Sequence, residues 1–88
     1  MREENDWRLQ GQARYLSGVE LGWQEYREYR AGWDHDHCEF CAAKFSESLP
    51  DTLRGGYATL DRYRWVCKEC FDDFRDLFNW RVTVAAPD

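Results

Sequence analysis

The 88-residue chain carries 12 Lys and Arg against 17 Asp and Glu, a formal charge of -5, with 43% hydrophobic and 17% aromatic residues. That describes one small domain, too apolar for a disordered tail and too acidic for a sequence-blind nucleic-acid binder, whose affinity rests on cations set against phosphate. No apolar run approaches the roughly 20 residues that span a bilayer, and the polar opening from Met1 to Asp6 lacks an export signal's apolar core, so the expected compartment is the cytoplasm, with no membrane association.

Asp6 is placed to cap a helix whose stripe is Leu9, Ala13 and Leu16, ending at Gly18. Gly11 within it costs about 1 kcal/mol relative to Ala. Val19, Leu21 and Trp23 then alternate with Glu20 and Gly22, which predicts a strand over about 19–27. Tyr26, Tyr29 and Trp33 flank Arg27 and Arg30. Either these rings cover the sheet while the arginines reach outward, or Trp23, Tyr26 and Trp33, with Asp34 and Asp36, form a surface for a partner.

The four cysteines form two pairs, Cys38-Glu39-Phe40-Cys41 and Cys67-Lys68-Glu69-Cys70. Each C-x-x-C turn offers two thiolates from one tight turn, and a tetrahedral zinc needs four such donors. The 25 residues between the pairs (42–66) only have to close a loop, at a cost that grows logarithmically with length. Two disulfides conflict with the expected reducing compartment, and a thioredoxin-type redox centre needs one C-x-x-C rather than two. The expected cofactor is therefore one structural zinc held by Cys38, Cys41, Cys67 and Cys70, with iron as the chemical alternative for the same sulfur set. Four thiolates and one divalent ion take the charge to about -7. For so short a chain, the ion would also couple metal affinity to folding.

Lys44 to Gly56, with Pro50 and Gly55-Gly56, reads as a polar, mobile loop. Tyr57–Leu60 and Tyr63–Val66 read as a hairpin around Asp61-Arg62. From Lys68 the pattern becomes helical, with Phe71, Phe74, Phe78 and Leu77 towards the core and Asp72, Asp73 and Asp76 towards water. Trp80, Val82 and Val84 predict a last strand, with Ala85 to Asp88 fraying.

The order is a cysteine knuckle, a loop, a hairpin, and a helix whose first turn carries Cys67 and Cys70. It resembles the treble-clef and zinc-ribbon group of four-cysteine zinc folds. The resemblance covers about 33–80, and its specific part is the ligand spacing. The segment from Trp33 to Cys41 is also similar to that of small bacterial proteins with a four-cysteine zinc site. The fold class expected is α+β, a small treble-clef-like zinc domain spanning 1–88. It consists of an N-terminal helix and strand (1–32), a zinc core (33–80), and a terminal strand and tail (81–88).

Treble clefs include HNH-type nucleases, which need a His on the hairpin and a His or Asn on the helix. Neither element has a His here, and Asn79 comes too late. His35 and His37, in the run Asp34-His35-Asp36-His37, precede the first ligand. On an extended segment the two rings share one face, and they are read as groups that orient the knuckle through hydrogen bonds towards the sulfurs. No catalytic residue is assigned. Residues 34–61 hold six acidic side chains against Lys44 and Arg54, a net of -4, which suits a basic protein partner, as for an immunity, antitoxin-like or adaptor protein. The alternative is a nucleic-acid-binding zinc ribbon that uses Arg62, Arg64 and Lys68, with Tyr57, Tyr63 and Trp65 stacking on bases.

Overall fold

The structure, a computed structural model, describes residues 6–28 and 34–87. Tyr29, Arg30 and Trp33 lie outside the described residues. The elements in order are α1 (Ala13–Leu16), β1 (Glu20–Glu25), β2 (Asp36–His37), β3 (Lys44–Phe45), β4 (Gly55–Thr59), β5 (Trp65–Val66), α2 (Lys68–Phe78) and β6 (Arg81–Val84). Four strands form one sheet in the order β5-β4-β1-β6. The β5–β4 and β4–β1 pairs are antiparallel, and β6 runs parallel to β1. A second, two-stranded sheet pairs β2 with β3 around the first cysteine turn. It joins the larger sheet where Cys38 bridges Trp65, with Glu39 N–H donating to the Trp65 carbonyl at 2.9 Å. Among the described residues no helix is long and apolar enough to cross a membrane.

Of the strand expected over about 19–27, Glu20–Glu25 forms, where β4 presents Tyr57 opposite Trp23 and Thr59 opposite Leu21. The phenylalanine spacing likewise forms a helix. Phe71, Phe74 and Phe78 are buried, and Asn79 closes α2 in the left-handed conformation at φ 56°. Leu77, expected beside the stripe, is 39% exposed. The core is largely aromatic. Phe71 stacks between Tyr57 (3.7 Å between centroids) and Trp80 (5.6 Å), and Phe40 packs on Phe74 at 5.0 Å and edge-on to Phe78 at 5.4 Å. Phe40 is an interior residue of the first C-x-x-C, so the knuckle is fastened to α2 by ring packing as well as by its cysteines.

Three expectations need correction. The N-terminal helix shrinks to Ala13–Leu16. Asp6 turns back to accept from Arg8 N–H at 3.0 Å instead of opening a helix, and Gly11 sits at φ 92°, outside helical space. Gln12 takes over the lost helix bonds: its Oε1 accepts from Gln10 N–H, and its Nε2 donates to the Arg8 and Glu39 carbonyls. The loop from Lys44 to Gly56 is strand at both ends and well anchored between them. Ser46 is fully buried, and its Oγ accepts from Ser48 and Leu49 N–H. Arg54 donates to the Ser46 and Leu49 carbonyls and to Thr52 Oγ1. The tail is held too, since Ala86 packs on the core and donates its N–H to Tyr57 Oη at 3.2 Å.

Gly56 is where β4 crosses the Phe45 ring. A Cβ there would stand 2.5 Å from Phe45 Cε1 and 3.0 Å from the Val66 carbonyl oxygen, so glycine is required for backbone and ring to meet. Phe45 in turn packs on Trp65, with centroids 5.4 Å apart. This contact ties β3 to β5 beneath the cysteines.

Candidate metal centre

Two local structures deliver the sulfurs. In the first, Cys38 N–H donates to the Ala43 carbonyl (2.8 Å) and Ala42 N–H to the Cys38 carbonyl (3.1 Å), closing a tight turn. Ala42 takes φ 67° to complete it, a conformation that usually falls to glycine. In the second, Cys67 is the N-cap of α2, extended at φ -70° and ψ 161°, and its Sγ accepts from Cys70 N–H at 3.5 Å. The first turn of a helix presents N–H groups and the positive end of its dipole, which favours thiolate. Phe40 and Cys67 N–H both donate to Cys38 Sγ at 3.4 Å, so the backbone of each half steadies the same sulfur.

The four Sγ atoms lie within 4.8 Å of one another, and Cys41 Sγ is 3.7 Å from Cys67 Sγ. A tetrahedral ion with metal–sulfur bonds of about 2.3 Å puts its sulfurs about 3.8 Å apart. The donor set and its dimensions therefore fit one metal ion. Among the described residues these cysteines are the one group of three or more ligand side chains close enough to share an ion. All four are free thiols. Left to protons alone, they divide unequally. Hydrogen bonds from the Cys67 and Cys70 thiols pull Cys38 far below the ordinary thiol range. The same Cys38 interaction pushes Cys67 up to about 12 and Cys70 further still. Metal binding requires deprotonated sulfurs, so it must displace the thiol protons.

Nothing in the residue spacing marks Arg8 as part of this centre. Arg8 is 7% exposed, and its Nη1 donates to Cys70 Sγ at 3.4 Å. It also pairs with Asp6 (Nη2 to Oδ2, 2.9 Å) and Asp73 (Nη2 to Oδ2, 3.1 Å), and stands 4.5 Å over the Phe74 ring. The Asp6 hydrogen bond, the largest influence, pushes the pKa of Arg8 above the ordinary arginine range. Asp73 therefore does not simply face water as expected. The one local signal was its place three residues after Cys70, on the same helix face, where a carboxylate beside a thiolate calls for a cation.

His35 and His37 stand apart from the sulfurs' hydrogen-bond partners described above. His35 Nδ1 pairs with Asp34 Oδ1 at 2.8 Å, and the two imidazoles meet edge to face at 5.0 Å. Of the two readings of the rings, Tyr26 takes the first, covering the sheet, and drops out of the candidate partner surface. It is fully buried, packs on Trp65 at 5.0 Å and donates its hydroxyl to Asp36 Oδ2 at 2.8 Å. Trp23 is half-buried edge-on to Tyr57, and Asp34 is exposed. Of the three rings proposed to stack on bases, Tyr57 and Trp65 are in the core and Tyr63 is exposed. Arg64 lies over Tyr15 and Tyr63 and pairs with Glu39 at 3.5 Å, while Arg62 donates to Gln24.

Set against protein-family models, curated proteins and solved structures, the chain matches none of them.

Proposed function

We propose that the chain is a zinc-stabilised recognition module. In this reading Cys38, Cys41, Cys67 and Cys70 hold one Zn²⁺ in a treble-clef-like frame, and the surface outside the frame binds a basic protein partner in the manner of an immunity, antitoxin-like or adaptor protein. The observation that carries it is the convergence of four sulfurs, from two turns distant in sequence, on dimensions that suit a single tetrahedral ion. Bound zinc supplies a fixed four-way cross-link and no redox chemistry of its own. The acidic balance supports the partner's charge, with exposed Asp34, Glu47 and Asp51 lying near the first knuckle. Exposed Leu60 and Tyr63 at the hairpin tip offer apolar contact.

Elemental analysis of protein purified without added metal tests the first half, with one zinc per chain expected. Stoichiometric iron, or no metal, would replace it. For the second half, a polypeptide captured by the holo protein should be basic, should bind again when purified, and should dissociate as salt rises. Asp34→Asn with Glu47→Gln and Asp51→Asn should weaken that binding. Titration against single-stranded and duplex DNA and RNA at low salt should show nothing. Binding there, where phosphate contacts are strongest, would favour the nucleic-acid reading instead.

A further inference from the structure

The two sides of the sulfur cluster are not alike. On one side Cys70 is 1% exposed, covered by the Arg8 guanidinium at 3.4 Å. Cys38, 4% exposed, accepts two backbone N–H bonds. Hydrogen bonds of this kind draw electron density from sulfur and make it a poorer nucleophile. On the other side Cys41 is the one ligand that is partly exposed, and among the described residues no N–H group donates to its Sγ. Cys67 is 6% exposed and accepts one long N–H bond, from Cys70 at 3.5 Å, yet with Cys41 it lines an open cleft of about 500 Å³. Lys44, Lys68, Asp51 and Glu69 also line it, two cations and two carboxylates, so the cleft is open to a small uncharged reagent.

We propose that Cys41 is an oxidation site through which hydroperoxides open the metal centre, with Cys67 as the resolving sulfur and Arg8 holding Cys70 out of the reaction. This rests on the reading of the four cysteines as a zinc centre. The Cys41 thiolate attacks the O–O bond. An S–O bond forms, the O–O bond breaks, and hydroxide (alkoxide from an organic hydroperoxide) leaves, to be protonated by solvent. The Cys67 thiolate, 3.7 Å away, then attacks the Cys41 sulfur. The S–S bond forms at about 2.05 Å, the S–O bond breaks, and a second hydroxide leaves. Two sulfurs have each lost one electron and the peroxide has gained two, with no other reductant needed. Cys38 and Cys70 remain as thiolates, too few to retain the ion against a chelator. The disulfide joins the knuckle to the helix, so oxidation exchanges one cross-link between the two halves for another.

The test uses the full chain as purified. Zinc is first quantified by elemental analysis, and hydrogen peroxide is then added below one equivalent in the presence of a chromogenic zinc chelator. Disulfides are assigned by peptide mapping without reduction. The expected result is one zinc released per disulfide formed, with Cys41–Cys67 as the dominant linkage. In Arg8→Gln, Cys70-containing disulfides should appear and zinc release should quicken several-fold, with Arg8→Lys in between. Stoichiometric zinc at the start, followed by a disulfide that maps within one C-x-x-C or to Cys38–Cys70, would overturn the inference and leave the zinc reading standing. An unchanged disulfide map and rate in folded Arg8→Gln would overturn the part assigned to Arg8. No zinc before oxidation would sink both readings together.

Discussion

The two cysteine turns have the same spacing and are held in different ways. Cys67 and Cys70 sit on the first turn of an 11-residue helix whose aromatic face is already buried against the sheet. Their geometry follows from packing that needs no metal. Cys38 and Cys41 sit on a turn flanked by two-residue strands, with Ala42 forced to a positive φ. The first pair therefore depends on what it is tied to, namely Phe40 in the core, the Cys38–Trp65 bridge and any ion the four sulfurs hold. One half of the centre is preformed and the other is recruited to it.

Removing the ion should break this asymmetry most visibly. Structural zinc contributes on the order of 10 kcal/mol in small zinc peptides, so a strong chelator under reducing conditions should abolish the cooperative melt. Amide exchange should rise first over 36–45 and last over 68–78. A melt unchanged by chelation would show that the cluster is not a metal centre. Phe40→Ala comes next. It removes the ring that docks the recruited half and should cost about 3–5 kcal/mol, read as a lower melting temperature and a faster zinc loss to chelator. Gly56→Ala, which drives a methyl into Phe45, should cost about 1–3 kcal/mol by denaturant titration.

The smaller effects sharpen the comparison. Ala42→Gly relieves the left-handed residue of the knuckle and should stabilise the holo protein by about 0.5–1 kcal/mol. No gain would mean the turn is relaxed as it stands. At the hairpin leading into the preformed half, Asp61 accepts from Thr59 Oγ1 (2.6 Å) and Tyr63 N–H (3.0 Å), and the Thr59 bond leads in holding its carboxyl below the usual range. A carboxylate with a depressed folded-state pKa stabilises the fold above its unfolded value of about 4. That contribution is lost as pH falls through the folded value. Asp61→Asn should therefore slightly flatten the acid limb of the stability profile, and an unchanged limb would mean the tip frays freely.

What could be read from the residues was what repeats locally. The two C-x-x-C turns, the Phe71-Phe74-Phe78 helix, the alternation of β1 and the Asp61-Arg62 hairpin each carry a period or a turn signal. What could not be read depends on groups far apart in the chain. Arg8 reaches a sulfur 62 residues away, and Gln12 bonds a carbonyl 27 residues on. Neither contact leaves a trace in spacing. The N-terminal helix misled because its apolar stripe is real, since Leu16 is buried. The backbone bonds that should have extended the helix were taken by Asp6 and Gln12 side chains. Tyr26 left two readings open, because an aromatic beside arginines looks the same whether its hydroxyl meets solvent or a carboxylate such as Asp36.

The parallel pairing of β6 with β1 bears on the order in which the large sheet is completed. Every sulfur of the cluster has been synthesised by position 70, whereas the strand that completes the large sheet arrives at Arg81. In chain order β1 therefore gains its second neighbour last, and a chain cut before Arg81 should leave that edge of β1 open to pairing with another strand.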